Sequence, residues 1–169
     1  MPTPEERLQQ LGVSLPSPAA PMAAYVPCVR TGNLVYVSGQ VPLVDGKPSQ
    51  LGRLGENVGL ADGAAAARTC AINAIAALKT ELGELSGVRR VVKLTGFVAC
   101  TPDFTDQPKV INGASELFGE VFGDAGRHAR AAVGVAALPR GVPVEVEAIV
   151  EVQEPGARPG QVPDRRRLR

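Results

Sequence analysis

The sequence predicts an α/β fold of the α+β kind: a single domain in the order β-β-α-β-α-β-β, with one sheet carrying two helices on one face. Three observations predict it. Two stretches repeat apolar residues at helical spacing, the segment between them alternates with a period of two, and a pair of alternating segments stands at each end. The 169 residues are 44% hydrophobic and 21% charged, a composition that lets one domain bury its own core. Aromatic residues make up only 4%, so that core is built from Ala, Val and Leu, whose small side chains let helices lie close to a sheet.

Each element has a local cause. Thr3-Pro4-Glu5-Glu6 has the form of a capping box with proline at the first helical position, which predicts a short helix over Pro4 to Gln10. The prolines between Leu15 and Met22 make a linker, so residues 1–22 read as an N-terminal extension ahead of a domain at 23–153. Tyr25 to Val29 and Leu34 to Ser38 flank Arg30-Thr31-Gly32-Asn33 and predict a β-hairpin. Gln40 to Gly59, rich in Gly, Pro and polar residues, reads as a long loop.

Asp62 is placed to cap a helix that runs to Leu82, with Ala67, Ala71, Ala74, Leu78 and Leu82 on one face and Gly83 as its stop. Val88 to Cys100 puts Val92, Leu94 and Val98 on one face and Val91, Phe97 and Ala99 on the other, the pattern of a strand buried on both sides. Pro108 to Phe122 is a second amphipathic helix. Ala129 to Leu138 and Val142 to Val152 are two strands joined at Pro139-Arg140-Gly141, and as an antiparallel hairpin they would bring Glu145 or Glu147 near Arg130. Residues 154–169 hold three prolines and a basic cluster and read as a disordered basic tail.

Two helices cover one face of a sheet, and the two-sided strand needs a cover for its other face. A second copy of the same surface is the economical one, which predicts self-association. Without residues 158–169 the chain carries thirteen basic and sixteen acidic residues, a balance of −3, which argues against nucleic acid as the main partner. Cys28, Cys70 and Cys100 have neither disulfide-framework nor zinc-ligand spacing, and no apolar run reaches the ~18 residues that span a bilayer. A reducing, cytoplasmic location is the expectation, with no metal and no membrane partner. His128 is the single histidine and no G-x-S-x-G, G-x-G-x-x-G or Walker motif accompanies it, so triad and nucleotide-binding chemistry lack their usual devices.

The informative segment is 128–150. Strand alternation puts Arg130 on one face with Ala132 and Gly134, an arginine among side chains small enough to leave space beside it. A guanidinium presents a planar fork that binds a carboxylate through two hydrogen bonds. The bland alternative is a cross-strand ion pair with Glu145 or Glu147.

Ala-Arg-x-x-Val-x-Val-x-x-Leu-Pro followed by Val-Glu-Val-Glu-Ala resembles the C-terminal signature of the RidA/YjgF family. Tyr25-Val26 with Gly32-Asn33-Leu34-Val35-Tyr36-Val37-Ser38-Gly39-Gln40-Val41-Pro42 resembles its N-terminal one. The resemblance covers about residues 23–152 and implies a chorismate-mutase-like fold, a homotrimer, clefts between subunits and no cofactor. It further implies an enamine/imine deaminase that hydrolyses 2-imino or 2-amino-enoic acids to 2-keto acids and ammonia. Arg130 would hold the carboxylate, Glu145 would orient water or relay the proton, and Tyr25, Ser38, Gly39, Asn112 and Ala132 would line the cleft. The sequence departs from the family pattern where Ala132 and Gly134 replace Cys and Glu. The Asn112-Gly-Ala-Ser115 and Gly126-Arg-His-Ala-Arg130 segments, with the N-terminal extension, mark a divergent branch. Two other readings accompany this one: a non-catalytic trimeric sensor of a small carboxylate metabolite, and the endoribonuclease or translation-inhibitor role that the family's older label carries.

Overall fold

The computed structural model describes residues 1–17 and 24–153; the tail at 154–169 and most of the proline-rich linker lie outside the described residues. α1 (Pro4–Gln10) forms as its capping box dictates, with Thr3 Oγ1 accepting from Glu6 N and Glu6 Oε2 accepting from Thr3 N. It is not a loose appendage. Leu8 is buried in the core, and Glu5 accepts from Lys79 Nζ at 2.7 Å and from Leu85 N at 2.8 Å.

β1 (Cys28–Thr31) and β2 (Leu34–Gln40) make the first hairpin, turning at Gly32 with a φ of 58°. The segment read as a loop after Gln40 contains a small second hairpin, β3 (Leu43–Val44) with β4 (Lys47–Pro48). Its turn is Asp45-Gly46, both at positive φ, the dipeptide that favours a tight two-residue connection. α2 (Leu60–Leu82) starts three residues earlier than expected. Gly59 is its N-cap without a side-chain bond, and Asp62 lies in the first turn instead of capping it.

β5 (Val88–Ala99) departs from plain alternation. Its pairing with β7 (Val144–Val152) shifts register between Val91 and Lys93, so Val91, Leu94 and Val98 are all fully buried together while Val92 is exposed. A bulge of this kind inserts one residue and flips the side chains beyond it. α3 (Gln107–Phe122) then crosses to β6 (Ala129–Val135), which pairs parallel to β5.

The sheet order is β1-β2-β7-β5-β6. The predicted hairpin between the last two strands does not form, because β5 lies between them. The connecting segment, with a short 3₁₀ turn at Pro139–Gly141, passes over the end of β5, where Cys100 N donates to Val135 O and Ala99 N to Pro143 O. A parallel partner for β6 follows from the α3 crossover, since a strand returning after a helix re-enters in the same direction.

α2 and α3 both lie on the sheet face that carries Val91, Leu94, Val98, Val144, Val146 and Val150. Gly96 faces Ile111 of α3, and Gly113 faces the backbone of Ala64 of α2, so closely that a Cβ at either site would collide. Gly113→Ala therefore has to push the two helices apart. The expected cost is about 1–3 kcal/mol, seen as a lower thermal midpoint, and the collision is with backbone that no rotamer change relieves.

Among the described residues, no helix covers the opposite face. Val29 and Tyr36 are exposed there, and Phe97 and Ile149 are partly so.

Candidate active site

Two clusters of polar side chains account for most of the residues that the sequence singles out. The first lies where β2 bulges away from β7 between Val37 and Gln40. A cleft of about 470 Å3 opens at this end of the sheet, and Tyr25, Ser38, Gly39 and Glu145 line it with Asn73 of α2 and Pro139. Glu145 lies over Gly39, in the volume that any side chain there would take. Ser38 has a structural part as well, because its hydroxyl donates to Pro27 O at 3.1 Å and closes the start of the hairpin.

Half-burial of Glu145, with the Glu147 carboxylate as a smaller contribution, pushes its carboxyl above the ordinary value. Two carboxyls that follow each other at alternate positions of one strand share a face, which is why Glu147 adds to the shift. A raised value means that the folded chain binds the proton more tightly than the unfolded one. The neutral acid is carried without loss at low pH, and stability falls as pH rises from the unfolded value through the folded one. Glu145→Gln removes that penalty. Its melting temperature should match wild type below about pH 4 and exceed it near pH 7, where an ordinary glutamate is charged. Thermal unfolding across this range reads the difference, and a gap that is independent of pH would contradict it.

The second cluster is on β6 and α3. Arg130, Ala132 and Gly134 share a face as alternation requires, opposite Leu94, Gly96 and Val98 of β5. The expected space beside Gly134 is filled: a Cβ there would approach Cys100 Sγ to 2.8 Å and Gln107 Nε2 to 3.0 Å. Ala132 is partly buried against the core. The Arg130 guanidinium turns over α3, where Nη1 donates to Asn112 Oδ1 at 2.9 Å and Ser115 Oγ at 3.1 Å, and Nη2 donates to Pro108 O at 3.2 Å.

Five N–H groups belong to a guanidinium. Three are used, and Nε–H with the second N–H of Nη2 have no partner among the described residues. These two nitrogens form the side-on fork that matches a carboxylate. The side chain is exposed.

The ion pair that a β6–β7 hairpin would have given is ruled out within one chain. Arg130 is level with Leu94 and Glu145 with Phe97, on opposite faces and two strand intervals apart, a separation of about 14 Å at ordinary strand spacing and rise. Among the described residues, Arg130 has no salt bridge at all. Of the seven residues singled out, Tyr25, Ser38, Gly39 and Glu145 are therefore together, Arg130, Asn112 and Ala132 are together, and the two groups are apart.

Two neighbours of Arg130 had no role assigned from sequence. Ser115 is one helical turn beyond Asn112, and His128 Nε2 is 3.0 Å from Ser115 Oγ, with Nδ1 2.6 Å from Gly126 O. The signal was present in the i, i+3 spacing of Asn112 and Ser115 and in the i, i+2 spacing of His128 and Arg130. Among the described residues no group of three His, Cys, Asp or Glu side chains is arranged to hold a metal ion, and no helix is long and apolar enough to cross a membrane.

Both clusters and nearly all of the fold sit within residues 5–149, which match the family described as "YjgF/chorismate_mutase-like, putative endoribonuclease". The chain belongs to this YjgF/RidA family. Protein TCP17 of Trypanosoma cruzi is 49% identical over 146 residues, covering 86% of this chain and 91% of that protein. A 2-iminobutanoate/2-iminopropanoate deaminase of Dermatophagoides farinae is 32% identical over 143 residues, covering 83% of this chain and 95% of that one. Among solved structures, Atu1372 of Agrobacterium tumefaciens, whose function is described as unknown, superposes with a TM-score of 0.84 at 50% identity, covering 89% of this chain and 92% of that one.

Proposed function

We propose that the protein is an enamine/imine deaminase that hydrolyses 2-imino acids to 2-keto acids and ammonia in clefts between the copies of a homotrimer. The observation that carries the proposal is the state of Arg130, fixed by three hydrogen bonds and offering a two-donor edge that no group among the described residues occupies. The similarity to a deaminase of this name supports the reaction class.

The chemistry needs little more than positioning. Arg130 takes the carboxylate and Asn112 braces it, while Glu145, Tyr25, Ser38 and Gly39 come from the cleft of a neighbouring copy. Water adds to C2 of the protonated imine, and the resulting carbinolamine loses ammonia as the C–N bond breaks and the ketone forms. Glu145 takes a proton from the water as it adds, gives it to the amine nitrogen so that ammonia can leave, and takes the remaining hydroxyl proton as the ketone forms. Burial that favours its protonated form suits it to hold the proton between these steps. No cofactor takes part. The three free cysteines fit a reducing cytoplasm as the place of reaction.

Assembly is open to direct measurement. Gel filtration with light scattering should give three times the 17.5 kDa chain mass, and a monomer at micromolar concentration would remove the shared cleft. Ammonia release from imines generated in place from a panel of amino acids tests the activity and ranks substrates. Histidine-based ribonuclease chemistry would require a ring nitrogen free to act on RNA, whereas both ring nitrogens of His128 are engaged.

A further inference from the structure

We propose that Ser115 and His128 form a tether that sets the orientation of the Arg130 guanidinium, and that they are positioning residues for the carboxylate of its ligand. This rests on the reading of Arg130 as a carboxylate anchor.

With a neutral His128 ring, the direction of every bond in the tether follows from its first link. Gly126 O only accepts, so His128 Nδ1, 2.6 Å away, carries the hydrogen. In the neutral ring Nε2 is then the acceptor, and Ser115 Oγ, 3.0 Å away, donates to it. With its one hydrogen committed to His128, Ser115 Oγ meets Arg130 Nη1 as an acceptor at 3.1 Å. Asn112 Oδ1 is the second acceptor of Nη1, at 2.9 Å. Nη1 thereby has two acceptors, Nη2 one and Nε none among the described residues, which points to the Nε side of the plane as the edge for a ligand.

The ring itself is held in place. His128 is partly buried and stands edge-on to Phe118, with ring centroids 6.4 Å apart, and Phe118 is fully buried in the core. An arginine at the edge of a sheet has many rotamers to lose on binding, and a tether anchored in the core removes that loss before the ligand arrives. The arrangement also explains why Asn112-Gly-Ala-Ser115 and Gly126-Arg-His-Ala-Arg130 occur in one sequence: the two segments supply the two halves of one hydrogen-bonded chain.

Four variants separate the tether from a general structural role. Ser115→Ala removes the link to Arg130. His128→Gln keeps an amide acceptor near the Nε2 position, and His128→Asn reaches only as far as Nδ1. Arg130→Lys identifies the Arg130 side-chain signals by their loss from the spectrum. The primary readout needs no ligand. Side-chain ¹⁵N relaxation should show an ordered Arg130 in wild type and in His128→Gln, and a mobile one in Ser115→Ala and His128→Asn, with thermal midpoints recording that all are folded. The single histidine makes its ring ¹⁵N signals unambiguous, and they should report Nδ1 as the protonated nitrogen. Calorimetry with 2-oxobutanoate as probe should show affinity about tenfold weaker in Ser115→Ala and His128→Asn, the scale of one hydrogen bond to a charged group. An Arg130 that is equally ordered in wild type, Ser115→Ala, His128→Gln and His128→Asn, or a His128 protonated on Nε2, would overturn the tether. Undiminished probe binding by Arg130→Ala would instead overturn the carboxylate reading and leave the relaxation result to stand alone.

Discussion

Replacing Arg130 with alanine should abolish ammonia release while leaving the assembly and the melting temperature close to wild type. The side chain is exposed and its bonds are to α3, so its loss opens no cavity in the core. A substrate carboxylate, in contrast, loses its charged partner in a partly desolvated cleft, a penalty of about 2–5 kcal/mol. At 1.36 kcal/mol per decade that is roughly 30-fold to several-thousand-fold in kcat/KM. Arg130→Lys should fail nearly as badly, since a lysine keeps the charge and loses the fork. Steady-state kinetics on one imine substrate, with a thermal melt of each variant, decides the matter. An alanine variant that unfolds or dissociates, beside a lysine variant that works normally, would make Arg130 structural.

Glu145→Gln should separate chemistry from binding. The amide fills the same space over Gly39 and cannot give or take the proton, so kcat should fall by about 10²–10⁴, the usual contribution of a positioned general acid. Binding of a 2-keto acid should persist, because the carboxylate anchor is Arg130. A non-catalytic sensor of the same ligand class predicts another result, with no turnover in wild type and equal binding in both proteins. Gly39→Ala should resemble Glu145→Gln in kinetics, since a Cβ there displaces the carboxyl group.

The elements were largely legible in the sequence because each has a local cause. The capping box of α1, the alanine face of α2, the amphipathic pattern of α3 and the alternation of β7 are all set within a few residues, and the structure has them where the spacing puts them. What was misread is non-local. Alternation along β6 and β7 is the same whether the two strands pair with each other or with β5, and the Pro139-Arg140-Gly141 turn looks like a hairpin connection when it is a passage over the end of β5. The β5 bulge is likewise invisible, because Val91 and Val92 are both apolar and only the pairing with β7 decides which one is buried. The site inherits the same limit. Arg130 was found through its neighbours on one strand, while Ser115 and His128 join it only once α3 is folded against β6.

Topology also turns a failed expectation into the most direct test of the account. Arg130 and Glu145 cannot meet in one chain, so a site that uses both must take them from two copies. Arg130→Ala and Glu145→Gln chains, each inactive alone, should recover activity when co-assembled, because a cleft between an Arg130-bearing chain and a Glu145-bearing chain is intact. With random mixing in equal amounts, about one cleft in four has this composition in a cyclic assembly, so about a quarter of wild-type turnover is the predicted result. Mixed assemblies that form with the expected mass and remain as inactive as either parent would contradict it.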